Sequence, residues 1–168
     1  VSGTRPEFQI QDPGFERRVR DSFTRQQVMS FLGAKLGDVG PGRAEIFLPY
    51  RPELSQQHGF FHGGIVGTIA DSAAGYAGYT LMPHHASVLT VEYKLNLMAP
   101  ADGGRLIARG RVIRPGKTLV ITQADVFVEK DAEERHCAVL LQTLMCMHGR
   151  SDSTTRAASL TTHREPLV

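Results

Sequence analysis

The 168-residue chain lacks a dense basic block, a cysteine pair suited to a disulfide, an apolar run of membrane length and a recognisable zinc signature. Each absence removes a class of function. The formal charge is +2, from 19 Lys and Arg against 17 Asp and Glu scattered along the chain, which gives nucleic acid little to hold. Cys137 and Cys146 fall on one strand-like stretch. Their odd separation places them on opposite faces, roughly 30 Å apart, so no disulfide forms within that strand and a reduced, intracellular setting is expected. The first residues carry no signal-peptide core, and nothing approaches the roughly 20 apolar residues of a membrane span. These features predict a soluble cytoplasmic protein with no nucleic-acid or membrane partner, of a size that fits one domain around one core.

Periodicity organises the rest. The first dozen residues, with Pro6 and Pro13, form an arm. Phe15, Val19 and Phe23, then Val28, Phe31 and Leu32, recur at helical spacing, with Thr24 as a cap for the second piece and Gly33 as its end. Extended segments at 34–39 and 43–49 flank Gly40-Pro41-Gly42 and read as a hairpin. Four longer strands follow at about 86–98, 105–114, 118–129 and 135–148, and the three breaks between them read as hairpins. Residues 1–22 are thus an arm and short helix, 23–150 the main domain, and 151–168, rich in Ser, Thr and Ala, a disordered tail.

Between the hairpin and these strands lies the most informative segment. Gly63 to Gly78 is small and apolar on every face and holds one carboxylate, Asp71. Such a helix belongs in a core, where an unpaired charge costs several kcal/mol or takes up a proton. One buried helix among about six antiparallel strands implies an α+β domain whose curved sheet wraps the helix. Gly67, Gly75 and Gly78 fit close approach by sheet side chains or a partner backbone. Before the helix, Gln56-Gln57-His58-Gly59-Phe60-Phe61-His62-Gly63-Gly64 sets two glycines at its N-terminus, where free N–H groups and the dipole form an oxyanion receptor. Gly63 N–H is the leading donor, with Gly64 adjacent. The eight residues from Gly63 to Asp71 rise roughly 12 Å, too far for both groups to reach one carbonyl from the same copy. A two-fold dimer with antiparallel helices would bring them together, giving active sites shared between subunits.

These residues resemble the hotdog-fold thioesterases, in particular the phenylacetic-acid-pathway, PaaI-like acyl-CoA thioesterases. The likeness runs from about Phe23 to His148 and rests on His62-Gly63-Gly64 with Asp71, on Thr90-Val91-Glu92-Tyr93-Lys94-Leu95-Asn96-Leu97-Met98-Ala99-Pro100, and on Arg114-Pro115-Gly116-Lys117-Thr118. It implies a hotdog fold, a long central helix wrapped by a curved antiparallel sheet. It also implies a homodimer, often paired into a dimer of dimers, that hydrolyses an acyl-CoA without a cofactor. Asp71 matches the general base or nucleophile, Gly63 the oxyanion donor and His62 the side chain that holds the site loop. Gln56 stands where the family commonly has Asn, three positions before the loop glycine Gly59. Thr90 matches a Ser or Thr that positions water. Arg114 and Lys117 are implied contacts for the CoA phosphates. Phe60, Phe61, Tyr76, Tyr79 and Met82 are candidates to line an aryl or acyl pocket, beside Gly59 and Gly64.

Three rival readings have less support in the sequence. His58 and His62, with His84 and His85, do not make a metal signature, so no catalytic metal is expected. A dehydratase or hydratase on the same fold lacks its characteristic His with Glu or Asp. A non-catalytic acyl-CoA sensor would need a recognition element such as a helix-turn-helix, and none is evident.

Overall fold

The computed structural model describes residues 8–150 and Asp152. The expectation of a disordered tail therefore falls, apart from Asp152, outside the described residues, as does the start of the arm. Helices α1 (Phe15–Arg25) and α2 (Gln27–Leu32) lead into strands β1 (Lys35–Gly40) and β2 (Arg43–Pro49). A single 3-10 turn at Pro52–Leu54 precedes the long helix α3 (Gly63–Tyr79). Strands β3 (Ala86–Leu97), β4 (Arg105–Arg114), β5 (Leu119–Lys130) and β6 (Glu133–His148) complete the described chain. All neighbouring strands are antiparallel, in the order β1-β2-β4-β5-β6-β3. α3 lies on one face of this sheet, and Ile69, Ala70, Ala73 and Ala77 pack with Ile46, Leu106, Ala124 and Leu140 in one core. This is the hotdog arrangement implied by the sequence. None of the described helices is long and apolar enough to cross a membrane.

The sequence placed the elements closely and their connections less well. β1–β2, β4–β5 and β5–β6 pair as hairpin neighbours, but β3 pairs with β6 at the edge of the sheet. The segment after β3 is therefore a crossover. Three inter-strand steps separate β3 from β4, about 14 Å, and the seven residues between them reach over 20 Å when extended, so a turn-like composition suits either route. The crossover runs under the N-terminus of α3, where Ala101 O accepts the Phe61 N–H at 3.1 Å.

Two bulges change which residues face inward. Thr90 pairs with Leu144 and Glu92 with Thr143, which leaves Val91 unpaired; beyond it Tyr93, Leu95 and Leu97 lie opposite Gln142, Leu140 and Ala138. On β6, Ala138 pairs with Val126 and His136 with Phe127, which leaves Cys137 unpaired. Cys137 and Cys146 are consequently both buried in the core. The expected opposite faces fail because a bulge adds a residue and breaks the period of two. Both thiols are free.

The small helices differ from expectation as well. Gln26 is extended and separates α1 from α2, so α2 buries Met29 and Leu32 while Val28 and Phe31 stay exposed. Thr24 lies inside α1 and its hydroxyl donates to Asp21 O rather than capping α2. Gly33 ends α2 as foreseen, at φ 77°. α1 also clasps the far end of α3. The Arg18 guanidinium donates to the carbonyls of Tyr79 (3.0 Å), Met82 (2.8 Å) and Pro83, lies over the Tyr79 ring and pairs with buried Asp12 at 3.3 Å. This satisfies acceptors that a helix C-terminus leaves open.

Glycines set the helix-to-sheet distance. A Cβ on Gly110 of β4 would lie 2.1 Å from the carbonyl oxygen of Ala73, and one on Gly78 would lie 2.3 Å from a Leu144 methyl. A Cβ on Gly67 would meet Leu95 at 3.3 Å, whereas none of the described residues outside its own helix turn comes within 4 Å of one on Gly75. Sheet packing thus accounts for Gly67 and Gly78 and not for Gly75. Gly110→Ala should lose about 3 kcal/mol or more in urea unfolding, because backbone cannot yield to the methyl, while Gly75→Ala, which no sheet residue crowds, should cost far less. Equal stability of the two variants would contradict this account.

Candidate active site

Asp71 lies midway along α3, half-buried, and two sheet residues meet its carboxylate. Thr90 Oγ1 donates to Asp71 Oδ1 at 2.8 Å, and Gln142 Nε2 donates to the same oxygen and to the Asp71 carbonyl at 3.3 Å. Gln142 Nε2 also reaches Thr90 Oγ1 at 3.2 Å. Thr122 Oγ1 donates to Gln142 Oε1 at 2.9 Å, which turns the amide nitrogen toward Asp71; the reverse orientation would set a carbonyl against the carboxylate. Thr122 and Gln142 are almost wholly buried. Asp71 Oδ2 accepts no hydrogen bond among the described residues. Burial pushes the Asp71 carboxyl above its ordinary value, and the donors Thr90 and Gln142 pull it back by less.

A second cluster gathers where α3 begins. His62 is the N-cap, and its Nδ1 accepts the Gly64 N–H at 3.0 Å, so the Gly64 donor is occupied within the chain. The Gly63 N–H has no acceptor among the described residues. The loop ahead is tied back on itself: Gln56 N–H donates to Phe60 O and Gly59 N–H to Gln56 O, both at 2.9 Å, with Gly59 at φ 82°. The Gln56 side-chain oxygen accepts the His58 N–H, and Tyr50 Oη donates to Gly59 O at 3.0 Å. Gln56, Phe61 and Gly63 line a cleft of about 470 Å³ with Leu97, Met98 and Cys137.

The predicted residues thus fall into separate groups. Gln56, Phe61 and Gly63 share the cleft with Phe60, and Gly59, His62 and Gly64 shape the loop and helix start beside it. Asp71 and Thr90 meet two helical turns further along, and Asp71 does not line the cleft. Arg114 ends β4 and Lys117 lies in the β4–β5 turn, both exposed, and Lys117 borders a small recess with Leu81 and Pro83 at the opposite end of α3. Tyr76, Tyr79 and Met82, offered as pocket residues, are core residues toward that same end and do not line the cleft. Among the described residues, no group of three or more His, Cys, Asp or Glu is arranged to hold a metal ion.

Gln142 and Thr122 were missed, although the signal was present. Each is the polar member of an inward row, Gln142 among Ala138, Leu140, Leu144 and Cys146, and Thr122 among Val120, Ala124, Val126 and Val128. A polar residue at a buried register position requires a partner. Read together with Asp71, those two interruptions would have pointed to one network.

A curved sheet around a helix whose N-terminus opens on an apolar cleft, with a carboxylate held further along it, is a hotdog fold with a candidate enzyme site. The sequence model described as Thioesterase superfamily matches residues 58–134, from the site loop into β6. The solved structure of a thioesterase family protein from Silicibacter pomeroyi is 48% identical, with a TM-score of 0.80 over 81% of this chain and 100% of that one. A Saccharolobus solfataricus protein that bears an inferred esterase name is 32% identical over 107 residues, 64% of this chain and 74% of that protein. The Escherichia coli PaaI protein from the phenylacetic acid degradation operon is 15% identical, with a TM-score of 0.73 over 83% of this chain and 98% of its own, and shares the fold. The chain belongs to the thioesterase superfamily. That membership and the esterase names support hydrolysis of a thioester or ester.

A carboxyl whose native pKa is raised binds its proton more tightly folded than unfolded. Its stabilising contribution is complete below the ordinary value of 3.8 and is lost as pH rises through the higher native value. Asp71→Asn, which carries no charge to bury, should therefore melt above wild type near neutral pH, with the gap closing as pH falls. A gap that widens on acidification would reverse the sign assigned to this burial.

Proposed function

We propose that the protein is an acyl-CoA thioesterase in which Asp71 activates water or attacks the thioester carbonyl, while the Gly63 N–H of a second copy stabilises the oxyanion. The observation that carries this reading is the state of the Asp71 carboxylate. One oxygen is fixed by two donors and the other accepts no hydrogen bond among the described residues, in a helix that otherwise has no use for a charge. A raised pKa makes that group a stronger base than an exposed Asp. Thr90 and Gln142 orient it, and Thr122 acts through Gln142. The chemistry needs no metal or cofactor.

Sharing of the site follows from distance. Asp71 and Gly63 are about 12 Å apart along one helix, so a single carbonyl meets both only between copies. Support for a two-fold homodimer comes from β3, an edge strand of 12 residues with exposed Leu89, Val91, Tyr93 and Leu97. An apolar edge of that length is normally covered, and antiparallel pairing of β3 with its symmetry mate would continue the sheet. In the same reading Arg114 and Lys117 of the copy that supplies Asp71 contact the CoA phosphates, and the cleft beside Gly63 of its mate takes the acyl or aryl group.

Thiol release from a panel of acyl-CoAs tests the activity, and binding without release would favour the sensing alternative. Asp71→Ala should fold and lose about 10²–10⁴ in kcat. Gly63→Pro removes the proposed donor at a position where proline suits a helix start, and His62, at ψ 136°, already has the backbone that precedes proline. Its kcat should fall about 10²–10³-fold. Mixing the two variants should recover about one quarter of wild-type activity, one intact site in each mixed dimer; no recovery from confirmed mixed dimers would overturn the shared site. Gln142→Leu, which deletes a donor to the carboxylate, should move the acid limb of kcat/KM to higher pH, and an unmoved limb would exclude Asp71 as the titrating base.

A further inference from the structure

The cleft at the start of α3 has a definable floor and rim. Phe61, Val66, Ala101 and Cys137 line it although each is almost wholly buried, so they form its closed end; Leu97 and Met98 line it while more than half exposed, so they border its mouth. Cys137 is the residue that the β6 bulge inserts. Its Sγ donates to Val126 O at 3.3 Å, which turns the thiol away from solvent, and its own carbonyl accepts the Met98 N–H at 2.8 Å and the Ala99 N–H at 3.2 Å. One unpaired residue therefore supplies part of the floor and fastens part of the rim. Burial pushes the thiol up to about 11, so it sits there as a neutral, space-filling group.

The walls also restrict chemistry. None of the residues lining the cleft is Asp, Glu, Lys, Arg or His, and the Gln56 side-chain oxygen is committed to His58 N–H. A carboxylate at the far end of a guest would have no counter-charge. The volume of about 470 Å³ is about three times the ~150 Å³ that encloses a benzene-sized guest, enough for an aryl group or an acyl chain of several carbons.

We propose that Cys137, placed by the β6 bulge, sets the depth of this cleft and so the longest uncharged acyl or aryl group the protein accepts. This rests on the reading above that the cleft beside Gly63 holds the acyl portion of a thioester. Cys137→Ala deepens the floor and Cys137→Leu raises it.

The test measures binding of S-alkyl-CoA thioethers of increasing chain length by calorimetry, alongside thiol release from the matching acyl-CoAs. Relative to wild type, Cys137→Ala should favour longer over shorter chains by roughly fourfold per methylene admitted, and Cys137→Leu should disfavour them by at least that factor. A thioether ending in a carboxylate should bind at least tenfold more weakly than its methyl-terminated equivalent. A ranking of thioethers unchanged in Cys137→Ala, an absence of thioether binding by wild type, or equal affinity for the carboxylate-ended ligand would each overturn the proposal. Absence of thiol release with a shifted thioether ranking would support the depth assignment and remove the thioesterase reading instead.

Discussion

The contact between Gly110 of β4 and the backbone of Ala73 and Ala74 sets the depth at which α3 lies on the sheet. No side chain can occupy that gap, so the helix backbone rests almost directly on the strand. The rest of α3 follows from this seating: Ala70, Ala73, Ala74 and Ala77 are all fully buried, and the small residues that looked wasteful in a helix are what permit the approach. Asp71 is carried to the sheet by the same fit, near enough for Thr90 and Gln142 to reach it from β3 and β6.

A carboxylate held this way is a compromise between two opposing effects. Burial disfavours its charge, and two neutral donors restore part of what water supplied. Neither donor is a cation, so the group is steadied without the strong depression of basicity that an Arg or Lys partner would impose. Thr122 extends this control one residue further, since it decides which end of the Gln142 amide faces the acid.

Much of this was visible in the sequence, because period and turn chemistry are local. The four long strands and the apolar helix reveal themselves by alternation, by small residues and by the Gly and Pro breaks. Asp71 and His62-Gly63-Gly64 stand out because their chemistry conflicts with their surroundings. The pairing of β3 with β6 was not legible, since a short Gly-rich segment suits a crossover as well as a turn. The bulges at Val91 and Cys137 were not legible either; each adds one residue without a compositional mark and reverses which later side chains face the helix. The face of α2 was misjudged for a related reason, as one extended residue, Gln26, resets the helical phase. Gln142 and Thr122 were readable in principle, as polar breaks in buried rows that become a pair only once the register is known.

The clasp formed by Arg18 bears on where this domain can be cut. The sheet and α3 alone would look like a self-sufficient unit, yet the carbonyls of Tyr79, Met82 and Pro83 find their donor on α1, and Asp12 upstream balances the donor's charge. A fragment trimmed to the wrapped helix would expose those oxygens together with the Tyr79 ring, fraying the last turn and loosening the start of β3 that follows it. The leading helix is in that sense a fastener for the far end of the central one.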